Sequence, residues 1–192
     1  MRTFKKVDDY GDFVPAPAGS HFAVCTSIAF LGLHFDKFND VNIQKVGITY
    51  EVEGDDNKKL AVFEEMKDSL HEKSKFYARI VALNGGKVPA EGFELANLLG
   101  RGVMVSIVHR TSGERVYANV DQVTPIPRGM VPPVPSVDPV YFDIDDPDPA
   151  AFASLNGKHR KMIENRIRTD QPQPAVPAPG MVNLPEDDDI PF

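Results

Sequence analysis

The chain has 192 residues, 42% of them apolar, and a formal net charge of −7, enough for one domain with a real core and little else. Taken whole, that charge argues against a binder of polyanions, and the single cysteine, Cys25, excludes an internal disulfide and fits a reducing compartment. No apolar run approaches the ~18 residues of a membrane span, and the N-terminus has no signal-type apolar stretch, so the expectation is a soluble, cytoplasmic protein.

An opening of about 18 residues ends in the stiff Val14-Pro15-Ala16-Pro17 approach to a first strand, His21 to Leu33. There Phe22, Val24, Thr26, Ile28 and Phe30 share one parity, with Gly32 a bulge. Ile43 to Val52 alternates again, placing Val46, Ile48, Tyr50 and Val52 on one face and Lys45, Thr49 and Glu51 on the other. Gly54-Asp55-Asp56-Asn57 is turn chemistry, so Leu60 to Leu70 pairs back as a hairpin. At Ser69 the period changes: Ser69-x-x-Glu72 has the form of a capping box, and Phe76, Tyr77, Ile80, Val81 and Leu83 follow at helical spacing until Asn84-Gly85-Gly86. Lys73, Lys75 and Arg79 on this helix are expected to face solvent. A helical turn around Phe93 to Leu99 precedes two strands, Val103 to His109 and Arg115 to Val123, joined across Thr111-Ser112-Gly113-Glu114 and stopped by Pro125 and Pro127.

Three strands, a helix and two strands give a mainly β fold. This is the order of a five-stranded OB-fold-like barrel, a Greek-key barrel that binds oligonucleotides, with its helix between strands 3 and 4. An SH3-like barrel or a small α+β sheet fits the same pattern. The first domain is thus expected over 1–130. A Pro/Asp-rich extension follows over 131–168, in which Asp148 to Arg168 reads as one helix carrying Phe152, Leu155, Met162, Ile163 and Ile167. The last part, 169–192, reads as a disordered acidic tail. Charge divides the same way: residues 1–130 hold 16 Lys/Arg against 17 Asp/Glu, while 131–192 hold 5 against 11 and carry 12 of the 17 prolines. The acidic excess belongs to the tail, and the body is close to neutral.

The tail ends in Asp187-Asp188-Asp189-Ile190-Pro191-Phe192. A solvating run explains the acids but not the large apolar residues that finish it; an apolar plug steered by its neighbouring charges into a basic-rimmed pocket explains both. These six residues, behind a Pro/Gln/Gly-rich spacer, resemble the docking tip that ends bacterial single-stranded DNA-binding proteins. The resemblance implies recruitment of replication and repair proteins through Asp187 to Phe192. The tetramer of that family is not implied, because its N-terminal strand pattern is missing here. In the body, Ser69-Leu70-His71-Glu72-Lys73, Leu98-Leu99-Gly100, Val108-His109, Tyr117-Ala118-Asn119-Val120, Thr124 to Met130 and Pro139 to Asp145 resemble a family of small bacteriophage single-stranded DNA-binding proteins over roughly residues 14–165. Glu64 and Glu65 on the third strand depart from what DNA would favour there.

Single strands are held by bases stacking on aromatic rings in a groove whose cations neutralise phosphates. The residues expected to do this are Phe35, Lys37 and Phe38 in the first loop, Lys45 on the second strand, Phe63 and Lys67 on the third, and Arg110, Arg115 and Tyr117 around the last hairpin. The expected activity is therefore non-enzymatic: sequence-independent binding and protection of single-stranded DNA in replication, recombination or repair, as a monomer or small homo-oligomer with no membrane partner. The alternatives are a recombination mediator that anneals strands, or an interaction protein whose acidic tail mimics DNA. No cofactor, metal or catalytic constellation is expected. Asp143-x-Asp145-Asp146-x-Asp148 has part of a calcium-loop spacing, but Pro147 and Pro149 interrupt it and no Glu closes it. The histidines show no zinc spacing. Cys25, inside a strand, reads as structural.

Overall fold

The computed structural model of the chain describes residues 14–54 and 56–168. Asp55 of the expected turn, and the tail with Asp187 to Phe192, lie outside the described residues. The alternating segments form an antiparallel sheet. Strand β1 (Gly19–Asp36) pairs with β2 (Val41–Glu53), β2 with β3 (Lys59–Lys67), β1 also with β4 (Gly102–Ser112), and β4 with β5 (Arg115–Pro125). The order across the sheet is β3-β2-β1-β4-β5, and a sixth strand, β6 (Val140–Phe142), runs parallel to β1 at Ser27 to Ala29. The terminal strands β3 and β5 are not hydrogen-bonded to each other, so the sheet is not closed into a barrel by its backbone.

Core membership follows parity along β2 and β3: Val46, Ile48 and Tyr50 with Val62 and Met66 point into the main core, while Gly47, Thr49 and Glu51 on the other face of β2 are buried too. In β1 the parity changes. The register shifts between Cys25 and Ser27 and again between Phe30 and Gly32. The extra residue at the first bulge brings Ala23 and Cys25 into the main core with Ile28, while Val24, equally buried, faces the other side of the strand. Phe22 is left exposed, and burial pushes the Cys25 thiol up to about 12.

Helix α1 (Lys75–Leu83) lays Phe76, Ile80 and Leu83 on this core. Its N-cap is Ser74, whose Oγ accepts from Tyr77 N at 3.1 Å. The expected cap, Ser69, lies too far upstream and accepts only from His71 N at 3.4 Å. At the other end Gly86 N donates to the Val81 carbonyl at 2.9 Å and Gly85 N to Ala82 at 3.1 Å, closing the helix at the expected glycines.

The chain beyond Pro125 returns over the outer face of the sheet. Ser136 N donates to the Glu51 carboxylate at 3.1 Å, fastening the Pro-rich segment to β2, and β6 follows. The helix expected over Asp148 to Arg168 is two helices, α2 (Pro149–Ser154) and α3 (Gly157–Glu164). Asp148 caps the first by accepting from Ala150 N and Ala151 N, and Asn156 caps the second by accepting from His159 N. The break falls where Leu155 turns inward and Asn156 captures the backbone of the next turn. Leu155 and Ile163 pack with Phe142 on Ala29 and Leu31, a second core on the outer side of β1. Among the described residues no helix is long and apolar enough to cross a membrane.

Candidate nucleic-acid interface

The expected contacts fall at two ends of the sheet. The first is the β1–β2 hairpin. Its ladder runs to Asp36 opposite Val41, while β3 leaves β2 at Lys45, so the last residues form an arm beyond the third strand. The turn is organised by Asp36, which accepts from Phe38 N at 3.0 Å and Asn39 Nδ2 at 2.7 Å. It presents Phe38 fully exposed (100%) and Phe35 at 51%, with Lys37 between them, also exposed. Lys45 and Lys67 lie directly opposite each other at the base of the arm, both on the outer face.

The second end is an open groove of about 400 Å³ between β3 and β5. Phe63, Arg110 and Tyr117 line it, with Lys75 from α1 and Lys158 from α3. Arg110 and Tyr117 are cross-strand partners, and Arg115 stands opposite Ser112 at the foot of their hairpin, outside the groove lining. Tyr117 is 44% exposed. Phe63 is half-buried: Lys158 Nζ lies 5.1 Å from its ring centre and the His159 ring meets it edge-on at 5.8 Å.

Both acids on β3 are neutralised. Glu64 points inward, where Arg79 Nε and one terminal guanidinium nitrogen donate to it at 2.8 and 3.1 Å, Lys75 Nζ lies at 2.7 Å, and the Tyr50 hydroxyl donates at 3.1 Å. The same terminal nitrogen of Arg79 donates to the Asp121 carbonyl of β5 at 3.2 Å, so this guanidinium spans the gap the backbone leaves open. Burial and the neighbouring Glu64 hold the Tyr50 phenol well above its usual range, which keeps it a donor. Glu65 points outward and pairs with Lys158 at 2.7 Å. The expectation that Arg79 faces solvent is corrected: it is 6% exposed, because the buried stripe through Phe76, Ile80 and Leu83 includes position 79. Two sequence signals pointed to this pair: an acid at core parity between Val62 and Met66, and an arginine on a helix's apolar stripe.

Over β2, helix α3 seats His159 on Gly47. A Cβ at position 47 would lie 2.5 Å from the imidazole, so only glycine fits. His159 Nδ1 accepts from Asn156 Nδ2 at 2.9 Å, and that nitrogen also donates to Thr49 Oγ1 at 3.0 Å. The neutral ring's proton then lies on Nε2, which has no hydrogen-bond partner. Burial lowers the His159 pKa to about 4.

The acids of the Asp143 to Asp148 run serve local structure: Asp143 accepts from Asp145 N at 3.0 Å and Asp148 caps α2. A scan against protein-family profiles and a search of curated proteins both return no match. Chemically, the two ends offer exposed rings for stacking on flat apolar surfaces, and cations able to neutralise anionic groups beside them.

Proposed function

We propose that this protein is a sequence-independent single-stranded DNA-binding protein that protects the strand and recruits replication or repair proteins through Asp187 to Phe192. The observation that carries the reading is the Phe35-Lys37-Phe38 turn, an aromatic pair around a cation on an arm, with Phe38 fully exposed. Among the described residues a ring as exposed as Phe38 has no packing role, whereas a base stacking on it would contribute about 1–3 kcal/mol.

The topology supports this reading. Order β3-β2-β1-β4-β5, with α1 between β3 and β4, is that of an OB-fold open between its third and fifth strands. In that fold the β1–β2 and β4–β5 loops flank the oligonucleotide. Here those are the turn at Lys37 and the hairpin carrying Arg110, Arg115 and Tyr117. The acidic whole-chain charge is no obstacle, because the described body holds its β3 carboxylates in ion pairs and the excess lies after residue 130. The test is a titration of a labelled oligo-dT of about 30 nucleotides against duplex of equal length, over roughly 50–400 mM salt. Tight, salt-dependent binding of the single strand alone is expected. Equal affinity for duplex, or none for oligo-dT at the lowest salt, overturns the proposal.

A further inference from the structure

Across the outer face at the base of the arm, β1, β2 and β3 place Gly32, Lys45 and Lys67 in one row, each opposite the next. Residues opposed in a ladder point to the same face, and about 4.8 Å separates neighbouring strands. Like charges directly opposite each other are destabilising, so Lys45 facing Lys67 is a cost to the free sheet. The third place in the row is empty of side chain: Gly32 has φ +83°, and a Cβ there would lie 2.7 Å from Arg166 Cδ. Arg166, just after α3, therefore lies against the backbone of Gly32 and extends the row to three cations. Its position is fixed by Ile167 N donating to the Leu33 carbonyl at 2.8 Å and by one guanidinium nitrogen donating to the Ile163 carbonyl at 2.7 Å.

Among the described residues no carboxylate forms an ion pair with any of the three. The nearby Asp36 is engaged by the turn of the arm. His34, two residues along the same face of β1, is close enough to Lys45 and Arg166 for both to lower its pKa, although burial lowers it more. The chain thus gathers three cations with no ion-paired carboxylate at the foot of its exposed aromatic turn, Asp36 lying near enough to feel the charge of Lys45.

We infer that Lys67, Lys45 and Arg166 form a phosphate-binding row, contributed jointly by the sheet and the C-terminal extension, that carries the backbone of a single strand across β3, β2 and β1 and directs its bases toward Phe35 and Phe38. This rests on the single-strand-binding reading above and adds to it the path of the strand and a DNA contact from the extension, Arg166. A row about 10 Å wide accommodates one to two phosphates, not a long tract.

The test is the slope of log affinity against log salt for oligo-dT, for wild type and for Lys45→Gln, Lys67→Gln and Arg166→Gln. Lys87→Gln, exposed beyond the end of α1, is the control. Each row variant is expected to lower the slope by up to ~0.7 and to weaken binding about fivefold near 0.1 M salt, while the control leaves both unchanged. Arg166→Lys keeps the charge and should restore the slope lost in Arg166→Gln; a slope lost equally in both means Arg166 only holds the extension in place. If wild type binds oligo-dT but the row variants keep its slope, or the control loses as much as they do, the row is refuted and the wider function stands. If wild type itself does not bind, the wider function falls with it.

Discussion

Replacing Arg79 with Met tests what joins the two ends of the open sheet. The side chain keeps its apolar stem but loses three hydrogen bonds, two to Glu64 and one to the Asp121 carbonyl across the gap. Glu64 is 5% exposed, so the loss leaves a buried carboxylate supported by Lys75 and the Tyr50 hydroxyl alone. Breaking a buried pair by removing one partner costs about 3–5 kcal/mol. Lys75 remains within 2.7 Å of Glu64, which sets the expectation at the lower end, about 3 kcal/mol. For a fold of this size each kcal/mol moves the midpoint by roughly 2–4 °C, so Arg79→Met should melt about 6–12 °C below wild type by circular dichroism. Removing Glu64 as well, as Arg79→Met with Glu64→Leu, should recover much of that loss, because no buried charge is then left without its partner. A single variant that melts within a degree or two of wild type would refute the reasoning. So would a double variant whose loss equals the sum of the two single losses.

The other predictions concern the arm and the seat of α3. Phe38→Ala should leave the melting temperature unchanged, since the ring is fully exposed, yet weaken oligo-dT binding by about 1–3 kcal/mol; equal affinity in the same titration counts against stacking there. His159 titrates near 4 in the folded chain against ~6.5 when unfolded, so the unfolded state takes up the proton first as pH falls. Its contribution is complete above pH ~6.5 and is lost toward pH ~4, about 3 kcal/mol in all; melting across that window should fall less steeply in His159→Leu, and parallel curves would contradict this. Gly47→Ala, whose Cβ would lie 2.5 Å from the imidazole, should cost about 1–3 kcal/mol, and His159→Ala in the same chain should remove most of that penalty.

What the sequence showed and what it hid follow from the range of the forces involved. The existence of β1 to β5, the glycine stop of α1 and the β4–β5 turn are local matters of parity and turn chemistry and were legible, whereas the short sixth strand, Val140–Phe142, was not expected. The two bulges of β1 were only partly legible. Parity read along one strand cannot show an extra residue until the partner strand is known, so the shared parity of Phe22, Val24 and Ile28 does not reveal that Cys25 joins Ile28 in the main core. The helix break at Leu155 and Asn156 was hidden because apolar spacing continues through it; only the second core on Ala29 and Leu31 explains why Leu155 turns in. Of the expected contacts, Phe35, Lys37 and Phe38 share one turn, and Phe63, Arg110 and Tyr117 one groove. Lys158 and Arg166 were missed because they belong to an extension whose return over the sheet has no signature in its own residues.

That return constrains how a strand could lie. The inner face of the sheet is filled by the main core, and over β1 and β2 the outer face is occupied by α2, α3 and the Ser136 segment held by Glu51. Bases therefore cannot spread across the middle of the sheet. Phe63, on the outer face of β3, is covered in part by Lys158, the cation that also neutralises Glu65. A base stacking on Phe63 must displace that ammonium, leaving Glu65 uncompensated beside a polyanion, so this ring is the less favourable platform. The arm carries no such lid: Phe38 is fully exposed, and among the described residues the cations at its base form no ion pair that a strand would have to break. On the proposed single-strand function, first contact is expected at the arm, with the β4–β5 hairpin and its groove engaged only by strands long enough to pass α3.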